Sequence, residues 1–104
     1  MTTFADLSRP LALLRMLAVD HPDLPAPHVG MSPICPGRLD FSIHDDLGAF
    51  EAWREALGID PAAVRRNTQS GDMTMVLTAF AEVAEAKVQL IGYAPNVAAL
   101  KAVA

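Results

Sequence analysis

The most polar triplet in the chain is His44-Asp45-Asp46. Carboxylates beside an imidazole can hold a hard or borderline cation, or share a proton in general acid–base work. The triplet also stands where an alternating strand pattern gives way to a helical one. An Asp at that junction is what the exposed N–H groups of a first helical turn call for, so capping is the reading its position favours. Cys35, His21, His28 and His44 supply the atom types of a zinc site, but their spacing fits no closed ligand set and there is no Cys-x-x-Cys pair. Cys35 would be a reactive thiol only with a base or a helix N-terminus beside it. Arg65-Arg66 leads into Asn67-Thr68-Gln69-Ser70, and this end, with Arg38, is where a phosphate or an acidic partner would first be sought. In an extended strand the two arginines point to opposite faces and do not make one patch. No glycine-rich phosphate loop, nucleophile elbow or pair of catalytic carboxylates occurs. The expectation is therefore no catalytic residue, no metal and no cofactor, which weighs against an enzyme.

These residues sit in a chain of 104 residues that is 52% hydrophobic and 19% charged, with a net charge of −4. That length holds one core, so residues 1–104 are read as a single domain. The composition is too apolar for disorder. Clustered Lys and Arg are missing, which argues against nucleic acid and against an anionic membrane surface. A lone cysteine cannot form an internal disulfide and suits a reducing compartment. Met1 to Asp6 lacks the basic stretch of a secretory leader, and the apolar run Leu11 to Val19 contains Arg15 and is too short to span a bilayer. A cytoplasmic location is expected.

The elements that must position the polar groups can be read from periodicity. Leu7, Leu11, Leu14, Leu17 and Ala18 recur at helical spacing, which predicts a helix over 3–20, with 3–7 as a separable lead-in turn, Ser8 as cap and Pro10 in the first turn. Leu13 and Met16 widen its apolar arc. The prolines at 22, 25 and 27 impose an extended connector. Residues 28–44 read as a hairpin turning at Pro36-Gly37, with Leu39, Phe41 and Ile43 alternating against Asp40, Ser42 and His44. A second helix over 46–57 carries the stripe Leu47, Phe50, Trp53 and Leu57, is capped by Asp45 or Asp46, and stops at Gly58. Three strands follow: 64–68, 73–83 and 87–93; the Ala and Glu content of 79–87 also suits a helix, but the β-branched residues on both sides favour a hairpin bending near Ala84-Glu85. Gly92 is expected to end or kink the last strand. Residues 95–104 are read as a short helix opened by Pro95, or as a frayed tail. The predicted class is α+β, with a mainly antiparallel sheet of about five strands, two helices on one face, and the order α-β-β-α-β-β-β(-α).

Alternation in the long strand places Met75, Leu77, Ala79 and Ala81 on one face and Thr74, Val76, Thr78 and Phe80 on the other. If the helices cover the first set, the second face carries Val76, Phe80, Ile91 and Tyr93, which is too apolar to leave wet. Self-association as a homodimer through these residues, with Leu13 and Met16 contributing from the first helix, is the leading expectation, and another protein as partner is its variant. The rival is a small-molecule or enzymatic pocket on that face, built around Tyr93, Thr78, Gln89 and Arg66.

The stretch from Leu39-Asp40-Phe41-Ser42-Ile43-His44-Asp45-Asp46 through Phe50, Trp53 and Gly58-Ile59 resembles a segment of small uncharacterised actinobacterial proteins. Val88-Gln89-Leu90-Ile91-Gly92-Tyr93 is similar to their closing strand. Such proteins are often associated with phage or mobile-element genes. The resemblance implies an accessory or regulatory role in that setting. It implies no activity and assigns no functional residue.

Overall fold

A computed structural model of the chain describes residues 1–96. A 3-10 turn at Phe4–Leu7 leads into helix α1 (Ser8–Asp20). Ser8 begins the helix instead of capping it. The polar closure lies upstream, where the Thr3 N–H donates to the Asp6 carboxylate at 2.8 Å. Pro10 falls in the first turn of α1 and is buried with Leu13 and Leu17. The proline connector ends at strand β1 (His28–Ser32), and the Trp53 indole N–H ties it down by donating to the Pro25 carbonyl at 2.7 Å.

Strand β2 (Cys35–His44) follows after a turn at Pro33-Ile34, closed by the Ile34 N–H donating to Ser32 Oγ at 3.1 Å. The expected turn at Pro36-Gly37 is corrected: both residues belong to β2, and a register irregularity at Met31/Ser32 takes up the difference. Helix α2 (Leu47–Ala56) is capped by Asp46, whose carboxylate accepts from the Ala49 N–H at 2.9 Å. Gly58, at φ +71°, makes the left-handed stop that side chains resist, and Ile59 folds back into the core beside it. Leu47 lies on the exposed side of α2, and Ala49 takes its place in the buried stripe. A 3-10 turn at Pro61–Ala63 precedes β3 (Arg65–Gln69), β4 (Thr74–Val83) and β5 (Ala86–Pro95). The β4–β5 hairpin turns on Ala84 and Glu85, both at positive φ. Gly92 does not end β5, which runs on through Pro95. Beyond Asn96 the expected terminal helix lies outside the described residues.

The five strands form one sheet in the order β1-β2-β5-β4-β3. Every consecutive pair joined by a short loop is antiparallel, but β2 and β5 run parallel from Arg38↔Lys87 to His44↔Tyr93. The sheet is therefore mixed, where a mainly antiparallel one was expected. Short loops dictate antiparallel neighbours. They say nothing of how the β1–β2 hairpin meets the β3–β4–β5 meander, and that junction is the parallel pair. Both helices pack on β2 and β5 from the same side. The core lies there: Leu39, Phe41 and Ile43 of β2, Val88 and Leu90 of β5 and Ala79 of β4 meet Leu13, Leu17, Phe50 and Trp53. Phe41 and Trp53 meet edge to face with centroids 4.8 Å apart. Gly92 lies so close under α2 that a Cβ built on it would stand 2.7 Å from the Phe50 ring.

Candidate functional site

The alternate residues of the same strands form the outer face of the sheet, and no helix of the described residues packs on it. Register fixes its rows. Ser42, Ile91, Thr78 and Arg65 lie across one row, His44, Tyr93, Val76 and Asn67 across the next, and Asp40, Gln89 and Phe80 across a third. Phe80 is 55% exposed, while Val76, Ile91 and Tyr93 are half-buried by their neighbours within the sheet. One end of the face is charged but balanced. Arg38 Nε stands 2.7 Å from Asp40 Oδ1, and Lys87 and Glu82 are opposite each other in register.

At the other end three rings gather. His44 stacks on Tyr93 with centroids 4.8 Å apart and 9° between planes, and His28 meets His44 edge to face at 5.3 Å. Asp45 follows in the left-handed conformation, its N–H donating to the Tyr93 carbonyl at 2.7 Å and so extending the β2–β5 ladder by one residue. Beside these rings an open depression of about 540 Å³ is lined by His44, Asp45, Gln69, Thr74 and Tyr93. A narrower apolar groove of about 200 Å³ lies on the opposite side of the sheet, between α1, the proline connector, Phe41 and Trp53.

The residues singled out in the sequence divide between these surfaces. Val76, Phe80, Ile91 and Tyr93 share the outer face with Thr78 and Gln89. Leu13 does not join them: at 2% exposure it is a core residue of α1. Met16 is exposed on α1, away from the helix's buried side. Arg66 pairs with Leu77 and shares the face of the core, so it cannot converge with Tyr93, Thr78 and Gln89. Cys35 is half-buried at the far end of β2, and among the described residues no three or more of His, Cys, Asp and Glu gather as a metal cluster. Asp46 is consumed as the cap of α2.

The buried guanidinium of Arg54 is a structural clamp. It donates from Nε to Glu51 Oε2 at 2.8 Å, from Nη2 to the other carboxylate oxygen, and from Nη1 to the Ile59 carbonyl. The hydrogen bond from Arg54 holds the Glu51 carboxyl below the usual glutamate value, and the same bond raises the Arg54 pKa. Thus the buried cation closes the end of α2 and faces no open site.

The adjacency of His28 and His44 was not legible in the sequence. A two-residue turn at Pro36-Gly37 would set Cys35 opposite Arg38 and His28 opposite Asp45, on the core side. The actual register sets His28 opposite Ser42, on the outer side. An odd shift in register reverses every side chain of a strand, so the misplaced turn hid the pair.

No helix among the described residues is long and apolar enough to cross a membrane. In comparison with known proteins, the chain matches no family model, no curated protein and no solved structure.

Proposed function

We propose that the chain is a small non-enzymatic interaction module that pairs with a second copy of itself through the outer face of its sheet. The observation that carries this reading is Phe80, 55% exposed on that face, with Ile91 diagonal to it and the half-buried Val76–Tyr93 pair further along the same strands. A sheet covered on one side ordinarily alternates apolar inward and polar outward. Here β4 and β5 break the alternation, and water is a poor cover for what they present.

Size favours a second copy as the occupant. Three central strands of ten residues each, at about 3.3 Å per residue and about 4.8 Å between strands, project about 480 Å². The short edge strands bring this to about 640 Å² before side-chain relief is added, close to the roughly 800 Å² per partner of a standard interface. The charged end carries Arg38 and Lys87 against Asp40 and Glu82, which leaves Arg65 on the β3 edge as an excess positive charge across the rows, a small cost to two copies related by a twofold axis. The pocket reading is weaker, because Arg66 lies on the other face and the concave part of the surface is displaced from Thr78 and Gln89 towards His44.

The test is solution mass by sedimentation or light scattering from about 1 µM to about 1 mM, the span of ordinary module affinities. A mass of two chains is expected, falling to one in Phe80→Asp with the circular dichroism of the folded chain retained. A wild-type mass of one chain throughout overturns the reading.

A further inference from the structure

We infer that His28 and His44 form a two-histidine site for a tetrahedral divalent cation of the Zn(II) class. Two imidazoles that ligate one tetrahedral ion through nitrogens about 2.0–2.1 Å from it have ring centroids about 3.2 Å from the metal, and so about 5.2 Å from each other. The observed centroid separation is 5.3 Å. The rings belong to neighbouring antiparallel strands and stand on the same face one pleat apart, since His28 is opposite Ser42 and His44 is two residues further on. Stacking on Tyr93 at 4.8 Å holds the His44 ring, which is the fixed ligand. His28 is exposed on the edge strand. It now presents its plane at 83° to His44, and rotation about its broad Cβ–Cγ torsion turns a nitrogen towards the same point. The ion enters from solvent, and water fills the positions the protein leaves. Neutral imidazole suits Ni, Cu and Zn, and the net charge of −4 favours a cation over an anion here.

The probe is Zn(II), which does not oxidise Cys35, followed by calorimetry and by the histidine ring signals in NMR. Saturable binding of one ion per chain is expected. His28→Phe and His44→Phe keep a flat ring in place, the second still able to stack on Tyr93, and each is expected to weaken binding by about tenfold or more. His21→Ala and Cys35→Ser leave it unchanged. Because both ligands lie in one chain, the monomeric Phe80→Asp variant binds as the wild type does, and this separates the site from the self-association reading. No saturable binding up to about 1 mM, full affinity in both phenylalanine variants, loss in His21→Ala, or loss in Phe80→Asp would each overturn the assignment.

Discussion

Phe41 and Phe80 both lie within long strands, in sequence patterns that alternate in the same way, and they meet opposite surroundings. Phe41 is on the covered face, 1% exposed beneath Trp53; Phe80 is on the outer face, 55% exposed. The strands that make the two faces are the same strands. What differs is that α1 and α2 supply enough apolar side chain to close one face only, so residue type alone does not decide burial. A face closed by helices is held by volume and fit. The face that no helix covers has no such fit to hold it.

Substitutions on the two faces should therefore separate folding from association. The largest effect is expected on the covered face, where Leu13→Ala leaves a cavity between α1 and the sheet and costs about 2–5 kcal/mol in urea unfolding. A cost under about 1 kcal/mol would show that α1 is not seated as described. Next comes Gly92→Ala. The new methyl would stand 2.7 Å from the Phe50 ring, and forcing α2 outward costs about 1–3 kcal/mol on the same assay. On the outer face Phe80→Thr exchanges one good strand former for another, and unfolding measured on the monomer should shift by about 1 kcal/mol or less. A larger loss would make Phe80 part of the fold and erase the contrast between the faces.

The hairpin that joins β4 to β5 offers a smaller change of opposite sign. Glu85 is held at φ +66° with no glycine to relieve it. Glu85→Gly should raise stability by about 0.5 kcal/mol, the relief of strain outweighing the added freedom of the unfolded chain. The smallest effect concerns the clamp on α2. The carboxyl of Glu51 is pulled below its ordinary value of 4.5 by Arg54. Its contribution is present above that value and is lost as pH falls through the lowered one. Wild type and Glu51→Gln should thus differ at neutral pH and converge in acid, as read by denaturant melts across the range. Equal differences at every pH would mean that the ion pair is not the source.

Much of this architecture is legible in the sequence because local rules govern it. The order of helices and strands, the Asp46 cap, the Gly58 stop and the bend at Ala84-Glu85 each follow from a few adjacent residues. Alternation also set Val76 and Phe80 on one face of β4, as the structure has them. The errors lie where distant parts of the chain decide. Because α1 is apolar on several sides, its sequence leaves Leu13 free to face a partner, and only docking on β2 and β5 shows which side is inward. Nothing local to Arg66 separates it from Tyr93, because only the register of β3 on β4 turns it to the core side, and register is a pairwise property. The parallel β2–β5 pair left no local trace, since neither strand carries a mark that names its neighbour.

That central pair joins Arg38 to Lys87, and it is the seam between two pieces that are each built from nearby residues. The β1–β2 hairpin and the β3–β4–β5 meander need only short loops to form, whereas their union must first close the whole stretch between them. Synthesis proceeds from the N-terminus, so β2 emerges as a ten-residue edge and stays unpaired along that side until β5 has been made. For that interval a strand that finally lies inside the sheet, between β1 and β5, is its most adhesive border. Crowded ribosomes on one message would thus meet this protein's risk of mispairing at the seam, before β4 and β5 have been made.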